Sequence, residues 1–425
     1  MYSGLQFASY YGDHMVLQKA PERAVLWGYG PDDTEVTVFL SGGPFTNNAP
    51  AVSVAAGKWR MTLDPMEAGG PYNVTAVLQN NHSITLTDVL FGDVWLCGGQ
   101  SNMAFTTSLV FKASEELALA SKFLQEWRCP GLSPQQVWIG SGVMGEDFKH
   151  YSAVCWMFGR HLYKALKYPI GLVTSCWGGT PVEAWSSPRA LKHCDLDRIN
   201  GIPMPYTPSM YLSKRTNSVV ECHDPSTSQH DLWYQVCLYI CPEVSTYIKA
   251  SLSEGFPNIR WHQTADYGFA PNLRMKNTFM AVAMDLGDEM SPFGSIHPRD
   301  KQGVAYRLSL GARAVAYGEE GVSFQGPFPS RVLVNDQYLN IIYNQRIFVA
   351  QSKDIFQKVW VPAPILQWGV NAVQVYTNYC SMDNVAGLRY AWRDWPCDFK
   401  ACPVYSADGV LPAPPFTLNR WPDEQ

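Results

Sequence analysis

Long apolar runs are missing from this 425-residue chain. A membrane-spanning helix needs about 20 consecutive apolar residues, and no segment approaches that length. An excess of basic charge is also missing, because 32 Lys and Arg stand against 37 Asp and Glu and leave a net charge of −5. No basic cluster, internal repeat or low-complexity tract occurs. We therefore expect a globular protein with no membrane span and no nucleic-acid partner.

Apolar residues make up 46% of the chain, which is enough for a large core divided over two or three domains. Residues 1–88 and 321–425 alternate short β-like segments with turns, whereas residues 89–320 mix apolar strands with helical patterns. This order predicts an α/β fold with an N-terminal β-rich accessory domain, a central α/β domain and a C-terminal β-sandwich-like domain. The clearest predicted strands are 24–28, 35–40, 279–284, 331–334, 346–349 and 372–376.

A serine that follows two glycines gives the first indication of chemistry. Residues 92–103 read Gly-Asp-Val-Trp-Leu-Cys-Gly-Gly-Gln-Ser-Asn-Met, a buried-strand pattern that breaks at Gly98 and Gly99 and brings Ser101 to the start of the next element. Glycines permit a sharp turn, and the free N–H groups and positive dipole of a new helix stabilise an alkoxide or a tetrahedral oxyanion. Ser101 is therefore a candidate nucleophile, with a plain strand–helix turn as the alternative.

A histidine far downstream gives the second indication. Residues 291–302 read Ser-Pro-Phe-Gly-Ser-Ile-His-Pro-Arg-Asp-Lys-Gln, in which His297 ends a loop and Pro298 suits the first position of a helix. Apolar residues then recur at helical spacing up to Gly318. A helix N-terminus disfavours the charged form of a nearby imidazole, so we expect a neutral His297 that can accept a serine proton. A structural or solvated histidine is the alternative.

Residues 92–103 and 291–302 together resemble the sialate O-acetylesterase family. Members of this family are serine esterases of the SGNH hydrolase superfamily. The resemblance continues through residues 7–10, 15–18, 169–172, 177–185, 260–266 and 411–416. It implies an SGNH-like three-layer α/β/α catalytic domain over residues 89–320, flanked by the two β-rich domains. It also implies an enzyme without cofactor or metal that acts on O-acetylated sialic acids, free or on glycoconjugates, chiefly at the 9-position.

The family pattern assigns roles to individual residues. It makes Ser101 the nucleophile and His297 the general base of an acyl-enzyme mechanism. Backbone N–H groups of Ser101 and of Gly178 or Gly179 would form the oxyanion hole, although the two glycines also suit a plain strand–loop turn. Further pocket candidates, each of which could instead serve packing, are Gln100, Asn102, Trp177, Glu183, Trp185, Trp261 and Gln263.

The sequence leaves open which group orients His297. The superfamily usually has an aspartate three residues before this histidine, and related sequences have it two before. These positions hold Gly294 and Ser295 in this chain. We favour a backbone carbonyl such as that of Ser295, with the nearby carboxylates of Asp285 and Asp288 as alternatives.

The largest departure from the family lies in its third sequence block, Trp-Tyr-Gln-Gly-Glu-Ser-Asn. Here Trp233-Tyr234-Gln235 is followed by Val-Cys-Leu, so the asparagine that donates to the oxyanion is absent. Loss of one such donor typically costs ~10²–10³ in rate. Residues 220–232 read like the family segment translated one nucleotide out of register, and 220–245 and 124–144 are disturbed relative to the family. The alternative function is a catalytically impaired isoform or relative, at best a glycan-binding protein.

Cysteines and glycosylation signals indicate the secretory route. Eleven cysteines are many for a cytosolic protein, and Cys397 and Cys402 suit a short disulfide loop, with two buried free thiols as the alternative. Asn73 and Asn81 each begin an N-glycosylation sequon. The resemblance implies a lysosomal or secreted protein. Because Met1 leads almost directly into family-like sequence without a signal peptide, a cytosolic form is the alternative.

Overall fold

The computed structural model describes residues 4–42, 47–48, 50–79, 82–119, 138–139, 142–143, 148–180, 189, 192, 198–199, 202–203, 255–335, 337–350, 362–377, 385 and 387–419. The protein is a mixed α/β molecule with a large share of β-sheet, and it divides into two compact units. The first unit holds the described residues up to Gly99 and those from Met103 to Trp177. The second holds Gln100–Asn102 and the described residues from Gly178 onward.

The first unit is built mainly of strands. Its described strands are β1 (Gln6–Phe7), β2 (Val16–Gln18), β3 (Val25–Tyr29), β4 (Glu35–Ser41), β5 (Asn47–Asn48), β6 (Val52–Ser53), β7 (Lys58–Thr62), β8 (Gly69–Leu78), β9 (Ser83–Gly99), β10 (Trp138–Ile139), β11 (Gly142–Val143) and β12 (Ile170–Cys176). Strands β1, β3 and β7 form one sheet. A nine-stranded sheet runs in the order β11-β10-β12-β9-β8-β4-β5, with β2 beside β9 and β6 beside β4.

The long strand β9 pairs with three described strands, among them β2, which runs parallel to it over Leu90–Gly92. Its first half pairs antiparallel with β8, and Asp93–Gly99 pairs parallel with β12. Gly92 lies where the strand passes close to another chain segment, because a Cβ there would be 2.0 Å from the carbonyl oxygen of Pro169. The strand runs through the predicted domain boundary at residues 88–89 and ends two residues before Ser101. The three-domain division stays a prediction.

The principal helix of the first unit packs against this sheet. Helix α1 (Ser101–Ala104) is a single turn, and helix α2 (Ala153–Leu166) follows the 3-10 turns Thr107–Leu109 and Phe148–His150. The Ser152 hydroxyl caps α2 by accepting a hydrogen bond from the Cys155 N–H at 3.2 Å. A disulfide between Cys97 and Cys155 joins β9 to α2. Nothing in the sequence pattern predicted this bond.

The described part of the second unit contains two further helices with given bounds and the remaining strands. They are β13 (Arg198–Ile199), β14 (Ile202–Pro203), α3 (Gly255–His262), α4 (Lys301–Gly311), β15 (Pro329–Asn335), β16 (Tyr338–Tyr343), β17 (Ile347–Val349), β18 (Ile365–Trp368), β19 (Ala372–Tyr376), β20 (Leu388–Tyr390), β21 (Val404–Ser406) and β22 (Phe416–Leu418). Strands β15, β16, β19 and β18 form a four-stranded antiparallel sheet, while β13-β14, β17-β21 and β20-β22 are separate pairs. Residues Ala312–Ala316 continue α4 as a π-helical turn.

Alternation of apolar and polar residues builds the core of the four-stranded sheet. Leu339 and Ile341 of β16 and Val373 and Val375 of β19 are buried on one face, as a period of two requires. Five of the six predicted strands are confirmed, and the exception is 279–284. That segment is not a strand.

The apolar side chains of residues 279–284 serve a second, smaller core. Val282 and Met284 pack against Cys397, Cys402 and Tyr405. Cys397 and Cys402 are joined by a disulfide, as the sequence predicted. Among the helices of the described residues, none is both long and apolar enough to cross a membrane.

Candidate active site

Ser101 stands at the first position of a one-turn helix directly after a parallel strand. Strand β9 ends at Gly99, and α1 begins at Ser101, whose side chain is half-buried. This is the strand–turn–helix arrangement that the sequence predicted. Because α1 has four residues, few peptide dipoles add up along it. The site therefore offers individual N–H groups rather than the strong dipole of a long helix.

The half-buried His297 side chain lies within hydrogen-bond distance of the serine. Its Nε2 atom is 2.8 Å from Ser101 Oγ, and its Nδ1 atom is 2.8 Å from the carbonyl oxygen of Phe293. A carbonyl oxygen can only accept, so the neutral imidazole carries its proton on Nδ1. Nε2 then has a free lone pair, and the Ser101 hydroxyl donates to it. This is the tautomer that a serine proton acceptor needs.

The loop before His297 holds this histidine through its own backbone. The His297 N–H donates to the Gly294 carbonyl at 2.9 Å, and the Ser291 hydroxyl donates to the His297 carbonyl at 2.7 Å. Gly294 has a φ of +88°, a conformation that favours glycine. The orienting carbonyl is that of Phe293 and not that of Ser295, which was the expectation from the sequence. The partner is a backbone carbonyl, as expected, but it lies two residues earlier.

The described side-chain bonds of the two acidic alternatives go to arginines and, for Asp285, also to a tyrosine. Asp285 is fully buried and receives hydrogen bonds from Arg307 at 2.6 and 2.8 Å and from the Tyr405 hydroxyl at 3.2 Å. Asp288 accepts from the Arg299 side chain at 2.6 and 3.0 Å. Burial raises the pKa of Asp288, but hydrogen bonds and charge from Arg299 outweigh it and hold the pKa below its ordinary value. Both carboxylates therefore stabilise the surrounding segments.

The helix after His297 begins later than the sequence predicted. Pro298 is not its first residue, because the Asp300 carboxylate accepts from the Gly303 N–H at 2.7 Å and caps a helix that starts at Lys301. Asp300 thus acts as the N-cap, a position at which aspartate is one of the preferred residues. The helix N-terminus is three residues further from His297 than expected.

Gly178, in the predicted second block, lies beside Ser101. A Cβ on Gly178 would be 3.4 Å from Ser101 Cβ and 3.9 Å from the Ser101 backbone nitrogen, so the Gly178 backbone runs next to the serine. Gly179 has a φ of +75°. The Gln100 side chain donates to the Thr180 carbonyl. These contacts join the serine segment to the glycine segment.

Asn102 faces inward and contacts Lys301, a residue that was not among the site residues predicted from the sequence. Its side chain is buried, its Nδ2 donates to the Ile296 carbonyl at 3.0 Å, and its Oδ1 accepts from Lys301 Nζ at 2.6 Å. Burial lowers the pKa of Lys301 to about 7, against opposing charge from Asp300 and Asp288. The only signal in the sequence is a lysine beside a helix cap, which usually indicates an exposed residue.

The remaining candidate residues differ in how exposed they are and in what they contact. Trp177 is 69% exposed. Trp261 packs against the core of the four-stranded sheet, and its ring centroid lies 6.0 Å from that of Trp392. Gln263 is half-buried and follows α3, where its N–H donates to the Ile259 carbonyl. Asn73 is exposed on β8. Outside the described residues lie Glu183, Trp185, Asn81, residues 220–245 and most of residues 124–144.

Comparison with known proteins shows what this arrangement belongs to. Proteins named sialate O-acetylesterase from Homo sapiens and Pongo abelii are each 42% identical to this chain over 491 residues, covering 97% of it and 92% of their own length. One from Rattus norvegicus is 40% identical and covers 98% and 94%. The chain belongs to the sialate O-acetylesterase family. As a member of that family it is a carboxylic ester hydrolase.

Two further comparisons extend the match to the sialate O-acetylesterase C-terminal domain and to the fold. The family's C-terminal domain matches residues 334–420. A solved carbohydrate acetylesterase from Xanthomonas citri is similar over 98% of this chain and 100% of its own, with a TM-score of 0.67. At 20% identity this likeness shows the fold alone.

Proposed function

We propose that this family member is a serine esterase that hydrolyses O-acetyl esters of sialic acids, chiefly at the 9-position. Ser101 is the nucleophile and His297 the general base. The observation that carries the proposal is the 2.8 Å separation of His297 Nε2 and Ser101 Oγ, with Nδ1 held by a carbonyl. The proposal rests as well on the relatives, whose name states that they act on O-acetylated sialate.

Acylation follows from this geometry. Ser101 Oγ attacks the acetyl carbonyl carbon while its proton passes to His297 Nε2, and a tetrahedral oxyanion forms. The imidazolium then returns the proton to the sugar oxygen as the ester bond breaks. The sugar leaves with a free hydroxyl, and the acetyl group stays on Ser101.

Deacylation repeats the same steps with water. His297 Nε2 takes a proton from a water molecule that attacks the acetyl-serine carbonyl, and then returns it to Ser101 Oγ. Acetate leaves, and the Phe293 carbonyl keeps the proton on Nδ1 throughout the cycle. No redox partner or further reactant is required, because water and the ester balance the reaction.

Backbone N–H groups supply the oxyanion hole in this proposal. The Ser101 N–H and an N–H of Gly178 or Gly179 are the donors, and the close approach of Gly178 to Ser101 supports this assignment. The third-block asparagine of the family is absent from the sequence. With one donor fewer than the family pattern, the backbone N–H groups would stabilise the oxyanion less strongly.

The proposal also covers the fold of the central domain and the cellular location of the protein. The central domain adopts the SGNH-like three-layer arrangement, of which the parallel β9–β12 pair beside α2 is one part. The protein is lysosomal or secreted, and Asn73, exposed on β8, carries an N-linked glycan. The two disulfides of the described residues support the secretory route, because such bonds persist in oxidising compartments.

Acetate release from 9-O-acetylated sialic acid tests the proposal. The wild-type chain, Ser101→Ala and the control Ser330→Ala, on an exposed strand of the C-terminal sheet, are assayed together after circular dichroism shows all three folded. We expect activity in the wild type and the control and none in Ser101→Ala. A folded wild type that releases no acetate would contradict the proposal and favour the impaired, glycan-binding alternative.

A further inference from the structure

A second bridge lies beside the Ser101–His297 hydrogen bond. Asn102 directly follows the serine and Ile296 directly precedes the histidine, and Asn102 Nδ2 donates to the Ile296 carbonyl at 3.0 Å. The two reactive residues are thus joined twice, once through their own side chains and once through their neighbours. The second joint involves no atom that takes part in acyl transfer.

Lys301 determines which way the Asn102 amide points. An ammonium group has three donors and no acceptor, so the oxygen of the amide must face Lys301 Nζ, 2.6 Å away. The NH₂ end then faces the Ile296 carbonyl, which can only accept. Burial lowers the pKa of Lys301 to about 7, and the neutral amine can also donate to Asn102. Either protonation state therefore supports the same amide orientation.

Burial makes this arrangement stiff. Asn102 and Lys301 are each only 2% exposed. When a buried hydrogen bond of this kind breaks, water does not replace the lost partner, and the unpaired group keeps its full desolvation penalty. The amide and the ammonium group therefore hold one geometry rather than exchanging with solvent.

The other described bonds to His297 come from its own loop. Ser291 holds its carbonyl, Gly294 its N–H and Phe293 its ring. These bonds set the internal shape of the loop. The Asn102 amide instead connects the loop to the segment that carries the nucleophile, so it sets the position of the base relative to the serine.

We propose that Lys301 is a positioning residue for acyl transfer, which acts through the Asn102 amide to hold the Ile296–His297 peptide against the nucleophile segment. This role rests on the Ser101–His297 mechanism proposed above. It requires the N–H donor of Asn102 and the donor of Lys301 together. A role in folding alone would require only that the buried groups be paired.

Two variants and a control separate these possibilities. Asn102→Asp keeps the shape and the acceptor for Lys301 but removes the donor to Ile296. Lys301→Met keeps the length and apolar stem but removes the donor to Asn102. Lys400→Met is the matched control, because Lys400 is half-exposed and pairs with Asp300 at 3.0 Å on the neighbouring helix cap.

The first readout is the rate at which an organofluorophosphonate modifies Ser101, because this reaction needs an activated serine and no sugar. Melting temperature, kcat and KM for 9-O-acetylated sialic acid complete the set. We expect both variants to react about 10²-fold more slowly, since a displacement near 1 Å costs that much, with kcat lowered and KM unchanged. Asn102→Asp should melt somewhat lower than the wild type, because the Ile296 carbonyl loses its donor, so rates are compared at a temperature where every protein is folded. Lys400→Met should match the wild type throughout.

The outcomes distinguish a failure of the positioning role from a failure of the Ser101–His297 mechanism. Folded Asn102→Asp that is modified at the wild-type rate would overturn the positioning role and leave the esterase mechanism standing. A wild-type chain that is not modified at Ser101, by mass spectrometry of the peptide, would overturn the mechanism itself and the positioning role with it.

Discussion

The Nδ1 atom of His297 donates to the carbonyl oxygen of Phe293, four residues earlier, at 2.8 Å. A carboxylate in that place would both orient the ring and stabilise the imidazolium that forms during catalysis. A neutral carbonyl performs the first task and little of the second. In the proposed mechanism the general base is therefore oriented by the backbone, and the nearby carboxylates of Asp285 and Asp288 bond to Arg307 and Arg299.

Replacing the base tests its role directly. We expect His297→Gln to lower kcat by ~10²–10⁴, the usual contribution of a positioned general base, with KM little changed. The matched control is His262→Gln, since His262 pairs with Asp266 near the end of α3. Steady-state kinetics on an acetyl ester report both. A His297→Gln variant with wild-type kcat would remove His297 from the mechanism.

The Asp288–Arg299 pair should matter for stability and not for the chemical step. Asp288→Asn removes charge-assisted hydrogen bonds to Arg299, and we expect about 2 kcal/mol less free energy of unfolding at pH 7. Because the folded-state pKa of Asp288 lies below its ordinary 3.8, its contribution is present above that pH and is lost as the pH falls through the folded pKa. Urea unfolding of both proteins measures this.

The difference between wild type and Asp288→Asn should therefore stay constant near neutral pH and shrink below about pH 4. At a temperature where both are folded, kcat should be equal. A large fall in kcat with stability unchanged would instead make Asp288 part of the catalytic machinery.

Lys301 should give the protein a distinctive alkaline pH dependence. Its pKa is about 7 when folded and 10.5 ordinarily, so between these values the unfolded chain binds more protons and stability rises with pH. Relative to Lys301→Met, the wild-type free energy of unfolding should rise by up to about 1.4 kcal/mol per pH unit in that interval. Urea unfolding at pH 7 and pH 9 checks this, and a difference that does not change with pH would contradict it.

The Cys97–Cys155 disulfide should be a principal stabiliser of the first unit. It closes a loop with a sequence separation of 58, for which the chain-entropy relation gives about 4 kcal/mol. We expect the double variant Cys97→Ala/Cys155→Ala to lose stability of that order in urea unfolding. Cys176→Ala, which removes a free thiol, is the control. If reductant does not shift the wild-type unfolding midpoint, the disulfide does not contribute.

The pairing of Ser101 with His297 could be predicted from the sequence, because both are identified by their side chains. Ser101 and His297 each occur in a segment whose glycines and prolines indicate a turn, and the family resemblance joins them across the chain. The orienting group could not be assigned, because every residue has the same backbone carbonyl. Which carbonyl meets Nδ1 depends on how the loop turns at Gly294, where φ is +88°.

Two other features could not be predicted from the sequence, each for a different physical reason. The apolar run 279–284 has the composition of a buried strand, but it packs with the disulfide of Cys397 and Cys402 instead of pairing in a sheet. Lys301 looks like a surface residue at a helix start, but it is buried and donates to Asn102, which lies 199 positions away. Contacts at such separations follow from the assembled fold and not from local pattern.

Trapping the acyl-enzyme tests the central claim most directly. The wild-type chain and Ser101→Ala are mixed with 9-O-acetylated sialic acid, quenched in acid within a single turnover and analysed by peptide mass spectrometry. We predict an acetyl group on Ser101 of the wild type, formed as fast as the sugar hydroxyl is released, and no acetylated peptide from Ser101→Ala. Acetate release by Ser101→Ala at the wild-type rate, with no acetylated serine in either protein, would contradict the account.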